Sequence, residues 1–268
     1  MTPLAAGGRA LVTGASSGIG AAFARALARR GQRPILVARR ADRLAALVEE
    51  LGGDERATAI PLDLTEGGAC EGLERTLGER GFVVDLLVNN AGLGDTGRFH
   101  ERPLERALQM VDLNSRVMVE LTRRFLPPMV ERRAGRVVNV VSTSAFQPVP
   151  FLAVYAASKA FALSFTEALA TELDGTGVRV QALCPGLTAT EFQAVAHTDK
   201  VRFNRTSAMT PEQVVEESLR ALDRGRLTVV TGLRNRVSVT VQGFLPRALV
   251  RRVAGELFRP APETEAKR

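Results

Sequence analysis

The sequence is short of the residues on which disulfide scaffolds and metal centres depend. Its 268 residues include only two cysteines, Cys70 and Cys184, two histidines and no tryptophan. Two cysteines are too few for a disulfide scaffold, and such sparing use is typical of a protein from a reducing compartment. Two histidines and two distant cysteines do not form a metal-binding pattern, so we expect no metal site.

Long hydrophobic runs are also missing. No apolar stretch approaches the ~18 residues needed to cross a bilayer, and the first residues contain no signal-peptide core before a strand-like segment begins. We therefore expect a cytoplasmic protein. Apolar residues make up 45% of the chain and charged residues 24%, which is typical of folded globular domains and excludes low-complexity and disordered classes.

Positive charge is concentrated at one end of the chain. The formal net charge is +7. Residues 233–268 contain eight basic and three acidic side chains, so this segment alone contributes five of those seven charges. The remainder is nearly neutral, which argues against a nucleic-acid-binding protein.

Strand-like and helix-like segments alternate along the chain. Short β-branched or aliphatic runs occur at residues 9–13, 34–38, 57–62, 85–89, 136–142, 178–184 and 227–230. Helical periodicity occupies residues 19–30, 43–51, 68–81, 104–133 and 153–173. This alternation predicts an α/β fold, namely a single doubly wound Rossmann domain with a parallel sheet of about seven strands and helices on both faces.

The composition predicts one domain followed by an extension. No linker-like stretch divides residues 1–232, although residues 190–225 interrupt the last strand pair with helix-compatible sequence. Residues 233–268 are basic and apolar together. We therefore expect a dehydrogenase-sized α/β domain over 1–232 and a separate C-terminal extension over 233–268.

The extension has the pattern of a basic amphipathic helix. Pro246 suits a first helical turn, and residues 237–241 alternate with period two, so a strand is also compatible with the earlier part. We favour packing of the extension within the protein or its oligomer, and rank peripheral contact with an anionic membrane second. The apolar side chains that recur at helical spacing among its arginines are Leu249, Val250, Val253 and Leu257.

A glycine-rich turn follows the first strand directly. Residues 13–20 read TGASSGIG, with Gly14, Gly18 and Gly20 spaced G-x-x-x-G-x-G at the start of a helix. Missing Cβ atoms let such a backbone turn tightly and approach a pyrophosphate, while free N–H groups at the helix start face that anion. The pattern predicts a dinucleotide site, and a purely structural turn is the alternative.

The same turn also fits the nucleophile elbow of α/β-hydrolases. Residues 14–18 match G-x-S-x-G with Ser16 as nucleophile. That elbow needs an oxyanion loop from an earlier strand and a histidine late in the chain. Only thirteen residues precede this turn and the only histidines are His100 and His197, so an acyl hydrolase is the weaker alternative.

The end of the second strand indicates which dinucleotide would bind. An NAD site usually has an acidic residue there for the ribose hydroxyls, whereas this strand ends in Arg39 and Arg40. A guanidinium matches the geometry of a 2′-phosphate, so NADP is favoured over NAD. Asp42 is better placed to begin the next helix than to reach a ribose. Two solvated surface arginines are the alternative.

One pair of side chains has the spacing of an assisted acid–base group. Tyr155 is the only tyrosine and Lys159 one of three lysines, and they lie four residues apart in a helical segment. Residues at i and i+4 share a helix face, so the ammonium can lie near the phenol. A neighbouring cation favours the phenolate and lowers the phenol pKa, which makes tyrosine usable as a general acid or base. A solvated helix face is the alternative.

Together these features resemble the short-chain dehydrogenase/reductase family, in its single-domain NADP-preferring branch. The resemblance covers residues 8–232, and the joint order and spacing of its pieces are much more specific than any one of them. The pieces are the turn 13–20, Asp63 with Leu64, residues 89–92, Asn114, Ser142, Tyr155 with Lys159, and Pro185 with Gly186.

The resemblance implies four catalytic residues. Tyr155 would be the proton donor or acceptor, and Lys159 would lower its pKa and hold the nicotinamide ribose. Ser142 would polarise the substrate oxygen, with Ser144 as its alternative. Asn114 would bend its helix and hold a water molecule in a proton relay to Lys159.

The resemblance also implies a cofactor-binding set for NADP(H), which carries the hydride. Asp63 and Leu64 would contact the adenine, residues 90–92 would lie beneath the adenosine, and Thr188 and Thr190 would bind the carboxamide. The implied set is Gly14, Ser16, Ser17, Gly18, Ile19, Gly20, Arg39, Arg40, Asp63, Leu64, Asn90, Ala91, Gly92, Tyr155, Lys159, Pro185, Gly186, Thr188 and Thr190.

The expected reaction interconverts a carbonyl and a secondary alcohol. The resemblance implies a substrate lid around residues 190–225, including Phe203 and Met209, and a homo-oligomer, either dimer or tetramer. A catalytically idle dinucleotide-binding or membrane-tethered scaffold of the same fold is the alternative. The apolar residues expected around the pocket, which favour a hydrophobic small molecule, are Phe146, Val149, Phe151, Leu152, Leu187 and Phe192.

Overall fold

A computed structural model describes residues 7–197 and 208–260. Its centre is a seven-stranded parallel sheet with the strand order β3-β2-β1-β4-β5-β6-β7. Every strand lies within two residues of its predicted bounds. The strands are β1 (Arg9–Thr13), β2 (Arg33–Ala38), β3 (Thr58–Pro61), β4 (Val84–Asn89), β5 (Gly135–Val140), β6 (Val178–Cys184) and β7 (Thr228–Val230).

Helices cover both faces of the sheet, which confirms the predicted doubly wound α/β fold. Those of the main body are α1 (Gly18–Arg29), α2 (Ala41–Glu50), α3 (Ala69–Glu79), α4 (Leu104–Val111), α5 (Val117–Glu131), α6 (Ala153–Glu172), α7 (Phe192–Val195) and α8 (Pro211–Asp223). The C-terminal helices are α9 (Leu233–Gly243) and α10 (Arg247–Leu257).

The core has two layers because neighbouring strand residues point to opposite faces. Val12 belongs to the layer that includes Phe23 of α1 and Leu219 of α8. The adjacent Leu11 belongs to the layer that includes Leu121 of α5. Both strand residues are fully buried, as expected of a parallel sheet covered on both sides.

The sheet order reverses beside β1, and this positions the site. β1 pairs with β2 on one side and with β4 on the other, so the crossovers leave it in opposite directions. Such a switch point opens a crevice at the carboxyl ends of the strands, where open α/β sheets bind ligands. The glycine-rich turn lies at this point.

Two predicted elements differ from the structure. The helix expected over 104–133 is interrupted by a π-helical turn, Asp112–Arg116, between α4 and α5. The strand considered over 237–241 is wrong, because these residues belong to α9. Period-two alternation of Val and Thr favours a strand only where a neighbouring strand can pair with it, and here the backbone forms its own helical hydrogen bonds instead.

Part of the expected lid falls within the described residues. Residues 190–225 include α7 and α8, and Met209 pairs its backbone with Leu187 and Ala189 beside β6. Residues 198–207, including Phe203, lie outside the described residues. Within the described ranges, no helix has both the length and the apolarity to cross a bilayer.

Candidate active site

A cavity of about 1010 Å³ opens at the carboxyl ends of the strands. It is lined by the turns that follow the first six strands, β1 to β6, and by the C-terminal helices. Of the predicted catalytic residues, Ser142, Tyr155 and Lys159 line it and Asn114 does not. All predicted cofactor-binding residues except Gly20 line it. The topology therefore brings together segments that are far apart in the sequence.

The glycine-rich turn needs its glycines for different reasons. Gly14 and Gly18 have φ values of +65° and +53°, in the left-handed region that favours glycine. Gly20 does not line the cavity, but a Cβ there would lie 2.3 Å from the carbonyl oxygen of Gly14. Gly20 therefore permits close packing of the turn against α1.

Thr13 and Asn90 hold this turn against the end of β4. The buried Thr13 hydroxyl donates to the Val88 carbonyl (3.2 Å) and accepts from the backbone N–H groups of Asn90 and Ala91, both at 3.0 Å. The Asn90 amide nitrogen donates to the carbonyl oxygens of Thr13 and Gly14, at 2.8 and 3.3 Å. The sequence pattern gave no sign of this role of Thr13, which is buried behind the turn.

The two arginines after β2 have different environments. The Arg40 guanidinium donates to the hydroxyls of Ser16 (3.0 Å) and Ser17 (2.9 Å) in the glycine-rich turn. Arg39 is 69% exposed and lies 3.6 Å from the Asp63 carboxylate. Burial raises the pKa of Asp63, but hydrogen bonds from Thr65 and the charge of Arg39 outweigh it, so the net pKa is lowered.

The arrangement around Ser16 does not support the hydrolase alternative. Its hydroxyl accepts hydrogen bonds from Arg40, which is a cation and not a general base. His100 is exposed and lies 3.5 Å from Glu101. Neither His100 nor His197 lines the cavity.

Glu191 connects the two sides of the cavity and was missed by the sequence analysis. Its carboxylate lies 2.9 Å from Arg40 and 2.5 Å from Arg43. Hydrogen bonds from these two guanidinium groups lower the pKa of Glu191. Since Glu191 follows β6 and both arginines follow β2, these ion pairs connect two segments that are far apart in the sequence, and Arg40 and Glu191 both line the cavity.

Tyr155 and Lys159 are both buried in α6, and burial shifts their pKa values in opposite directions. It raises the pKa of Tyr155 to about 12, although a hydrogen bond with Ser142 lowers it in part. It lowers the pKa of Lys159 to about 8. The Lys159 ammonium donates to the Val140 carbonyl at 2.7 Å and lies 5.8 Å from the centre of the Tyr155 ring.

The expected lowering of the Tyr155 pKa by Lys159 is therefore not what the structure shows. The two groups share a helix face and a cavity, as their spacing indicates. However, desolvation of the phenol is the largest influence on its pKa. A buried phenol favours its neutral form because the phenolate loses its hydration.

Asn114 supports the site from behind. It lies in the π-helical turn, where its amide oxygen accepts from the Leu93 N–H (2.8 Å) and its amide nitrogen donates to the Leu93 carbonyl (2.9 Å) and the Ser158 hydroxyl (3.0 Å). A Cβ at Gly92 would be 3.2 Å from the Asn114 oxygen and 3.5 Å from the Lys159 nitrogen. Gly92 therefore lets the two groups approach each other.

The segment after β6 packs against both the glycine-rich turn and α9. The Thr188 hydroxyl donates to the Gly186 carbonyl at 3.1 Å. A Cβ at Gly18 would lie 3.0 Å from the Thr190 side chain, and one at Gly186 would lie 2.4 Å from the Asn235 amide. Gly18, predicted to lie at the pyrophosphate, and Thr190, predicted to bind the carboxamide, are thus close to each other.

Apolar side chains form the wall next to Tyr155. The Phe192 ring lies 5.5 Å from the Tyr155 ring, and Leu152 and Leu187 also line the cavity. Three other residues predicted for this wall do not line it: Phe146, Val149 and Phe151. Val149 is instead buried in a cluster with Met110 and Tyr155, and Phe146 packs against the cluster that contains Met118 and Val141. Helix α10 adds wall residues that the sequence analysis assigned only to an extension, namely Leu249, Val250, Val253, Ala254 and Leu257.

Comparisons with known proteins agree with this geometry. The sequence profile of the short chain dehydrogenase family matches residues 9–201. An NADP-dependent 3-hydroxy acid dehydrogenase from Salmonella typhi is 38% identical over 213 residues, which are 77% of this chain and 85% of the relative.

Two solved structures are similar over almost the whole chain. A short-chain dehydrogenase from Sphingobium yanoikuyae in complex with NADPH has a TM-score of 0.78 and 32% identity, covering 90% of this chain and 97% of that one. A bulky-bulky ketone specific alcohol dehydrogenase from Comamonas testosteroni has a TM-score of 0.75 and 30% identity, covering 92% and 97%. The chain belongs to the short-chain dehydrogenase/reductase family of oxidoreductases.

Proposed function

We propose that this protein is an NADP(H)-dependent oxidoreductase that interconverts a carbonyl and a secondary alcohol on a hydrophobic small molecule. The observation that carries the proposal is the convergence of Ser142, Tyr155 and Lys159 with the glycine-rich turn in one cavity. A structural turn or a solvated helix face would not bring these groups together. The 3-hydroxy acid dehydrogenase and the ketone-specific alcohol dehydrogenase act on related groups.

The residues of the crevice fit an NADP-type cofactor. A Cβ at Gly14 would lie 2.8 Å from the Asn90 amide and one at Gly18 would lie 3.0 Å from Thr190, so the two glycines let the turn pack closely against these residues. The start of α1 then lines the cavity, where its free N–H groups could face a pyrophosphate. Arg39 and Arg40 supply the positive charge that a 2′-phosphate requires. The relative from Salmonella is NADP-dependent and the Sphingobium structure contains NADPH.

In this mechanism the cofactor supplies the hydride when it is bound, and the protein supplies orientation and a proton. During reduction, the Tyr155 phenol donates its proton to the oxygen of the reacting carbonyl. With a pKa of about 12, this phenol is protonated at neutral pH and ready to donate. Ser142 donates a hydrogen bond to the same oxygen and so stabilises its developing negative charge.

Lys159 and Asn114 would complete the proton path. The Lys159 ammonium is fixed by the Val140 carbonyl next to Gly92, and Asn114 lies behind the same glycine. We propose that Lys159 binds the nicotinamide ribose and that Asn114 positions a water molecule for proton return. The pKa of Lys159, about 8, allows it to exchange protons near neutral pH.

The domain arrangement is part of the proposal. Residues 1–232 would form the dehydrogenase domain, with a substrate lid around 190–225, and residues 233–268 would form a C-terminal extension, whose helices α9 and α10 contribute one wall of the cavity. A homo-oligomer, either dimer or tetramer, is proposed from the family resemblance and is measured by sedimentation velocity. A cytoplasmic location is proposed from the two buried, unpaired cysteines.

The decisive experiment screens carbonyl compounds of increasing apolar size for NADPH consumption. The protein and its Tyr155→Phe variant are compared in parallel, and NADPH binding is measured by calorimetry. We expect turnover that the variant loses while NADPH binding stays nearly unchanged. Substantial residual turnover in the variant would reject the role of Tyr155. Binding of NADPH without turnover of any compound would favour the idle scaffold.

A further inference from the structure

Helix α9 has its amphipathic faces reversed relative to an ordinary surface helix. Three uncharged polar side chains of α9 line the cavity, Asn235, Ser238 and Gln242, together with Arg234, Val239 and Val241. Leu233, Val237 and Phe244 do not line it, and they are 75%, 56% and 85% exposed. Their spacing of four and seven residues puts these three on one side of the helix axis. An apolar stripe therefore points away from the protein body.

Helix α10 presents a second row of exposed apolar side chains, at the cavity. Buried Val250 and Ala254 attach the helix to the protein body. Leu249, Val253 and Leu257, each four residues apart, line the cavity and are still about half exposed. The short segment between the helices adds the exposed Leu245. The apolar stripe of α9 is therefore followed in the sequence by exposed apolar residues that line the cavity.

Positive charge surrounds these apolar residues. Between 233 and 260 the sequence contains six arginines and one acidic residue, Glu256. The ion pairs in this stretch are Arg236 with Glu217 and Arg259 with Glu256. The arginines that are exposed and form no ion pair within the described part of the chain are Arg234, Arg247, Arg251 and Arg252.

We propose that α9 and α10 form a docking surface for an anionic lipid membrane. Apolar side chains bordered by arginines suit the interface of such a membrane, where the apolar groups enter the acyl region and the guanidinium groups remain at the phosphates. Neither helix could span a bilayer, so contact is peripheral. The C-terminal surface is Leu233, Val237, Phe244, Leu249, Val253 and Leu257, with Arg234, Arg247, Arg251 and Arg252.

Charge argues against a second copy of the chain as the occupant of this surface. A two-fold interface brings the same patch of both subunits together. The C-terminal surface would then place its uncompensated arginines opposite one another, and like charges in a closing interface oppose association. An anionic membrane offers both the apolar environment and the opposite charge.

The location of the surface also bears on the substrate, and this step rests on the proposed function. Leu249, Val253 and Leu257 belong both to the C-terminal surface and to the cavity rim. A protein docked in this way has its cavity mouth at the acyl region. A hydrophobic carbonyl compound dissolved in the bilayer can therefore enter the cavity without crossing water.

Vesicle sedimentation tests the docking without substrate or cofactor. The full chain is mixed with vesicles of phosphatidylcholine alone or of phosphatidylcholine with phosphatidylglycerol, at low and high salt. We expect binding to the anionic vesicles that weakens with salt, and little binding to the neutral ones. Because the measurement is independent of turnover, its failure is distinguishable from failure of the proposed function.

Matched variants assign the binding to this surface. Val237→Ser removes an apolar side chain 56% exposed, and its control, Val83→Ser, removes one 55% exposed just before the amino end of β4, at the end of the sheet opposite the cavity. The double variant Arg251→Gln/Arg252→Gln is matched by Arg75→Gln/Arg80→Gln on and after α3. We expect Val237→Ser and Arg251→Gln/Arg252→Gln each to weaken binding to anionic vesicles by about fivefold or more. The two control variants should leave vesicle binding unchanged.

Three results would overturn the proposal. Equal binding to neutral and anionic vesicles, or no binding to either, excludes recognition of an anionic surface. Equal effects of the test variants and their controls place the contact elsewhere. Dissociation of an oligomer by Val237→Ser, seen by sedimentation velocity, identifies the surface as an interface between copies of this chain.

Discussion

The ammonium of Lys159 lies 5.8 Å from the centre of the Tyr155 ring, with both side chains buried on one face of α6. The nitrogen is fixed by the Val140 carbonyl, at 2.7 Å. Burial of both groups favours a neutral phenol and a neutral amine. The phenol has a pKa of about 12 and the amine a pKa of about 8, so the two groups titrate in different pH ranges. We expect burial of the charged amine to reduce the stability of the fold.

The first prediction concerns stability. The pKa of Lys159 falls from an ordinary value of 10.5 to about 8 in the folded protein, so the unfolded chain binds the proton more tightly. Folding is therefore opposed below pH 8, and the penalty disappears as the pH rises towards 10.5. Lys159→Met should raise the free energy of unfolding at pH 7 by on the order of 2 kcal/mol.

Urea unfolding at pH 7 and pH 10 measures this effect. The gain in the free energy of unfolding from Lys159→Met should be smaller at pH 10 than at pH 7, because at pH 10 the amine of Lys159 is neutral in the folded protein. The variant should also lose turnover. A stability difference that is the same at both pH values would show that burial of the charge is not its cause.

The second prediction concerns the pH dependence of turnover. Reduction uses the protonated phenol of Tyr155, whose pKa is about 12, so the phenol keeps its proton between pH 6 and 9. A change in the reduction rate within this range should therefore follow the titration of Lys159, near pH 8. Oxidation uses the phenolate, and at pH values below the pKa the phenolate fraction increases tenfold for each unit by which the pH is raised. Initial rates in both directions across this range check the prediction. An oxidation rate independent of pH would contradict it.

The third prediction separates Ser142 from Ser144. Ser142 is near enough to Tyr155 to lower the phenol pKa in part, whereas Ser144 uses its backbone N–H to donate to the Ser142 hydroxyl, at 3.1 Å. Ser142→Ala should lower kcat for reduction by roughly a hundredfold or more, because one donor to the developing oxyanion is lost. Ser144→Ala keeps the backbone contact and should stay within about twofold. Equal losses in both would reject the assignment.

The fold was largely predictable because its signals are local. Continuous apolar strands predict a sheet covered on both faces, and the observed bounds of β1 and β6 equal the predicted ones. The resemblance implied a helix bend at Asn114, where the π-helical turn lies, but the periodicity of residues 104–133 predicted one unbroken helix, and it gave no sign that the Asn114 amide would bond to the Leu93 backbone. Periodicity within one helix contains no information about such a contact.

The candidate site was predictable where the residues follow a family order, and less so elsewhere. Glu191 was missed because its partners, Arg40 and Arg43, are about 150 residues away in the sequence. The polar face of α9 was missed because Val and Thr alternate there as in a strand. In both cases the packing of distant segments, and not the local pattern, determines which side chains face the cavity.

The fourth prediction concerns the 2′-phosphate. Arg39→Asp should shift cofactor preference from NADPH towards NADH, because a carboxylate repels the phosphate. Arg40→Gln should also weaken binding of 2′,5′-ADP, because the guanidinium that Ser16 and Ser17 hold would be lost. Arg33→Gln, at the opposite end of β2, is the control.

Calorimetry with 2′,5′-ADP and 5′-AMP measures these effects without turnover. Each of the two test variants should lose about tenfold or more in affinity for 2′,5′-ADP and little for 5′-AMP. If Arg39→Asp leaves the ratio of the affinities for 2′,5′-ADP and 5′-AMP unchanged, the contact with the 2′-phosphate belongs to Arg40 alone. A loss of affinity for both 2′,5′-ADP and 5′-AMP would indicate that the substitution disrupts the glycine-rich turn.

The fifth prediction compares two glycines in helices. A Cβ at Gly20 would lie 2.3 Å from the Gly14 carbonyl oxygen and 2.6 Å from the Asn90 amide nitrogen, so Gly20→Ala should displace the turn. Overpacking of this kind costs about 1–3 kcal/mol. NADPH binding should fall with it, because the displaced backbone lines the crevice. A Cβ at Gly72 of α3 meets nothing within 4 Å, so Gly72→Ala should stabilise by roughly 0.5–1 kcal/mol. Thermal unfolding and NADPH titration of both variants measure the contrast, and a Gly20→Ala variant that binds NADPH normally would show that the turn tolerates displacement.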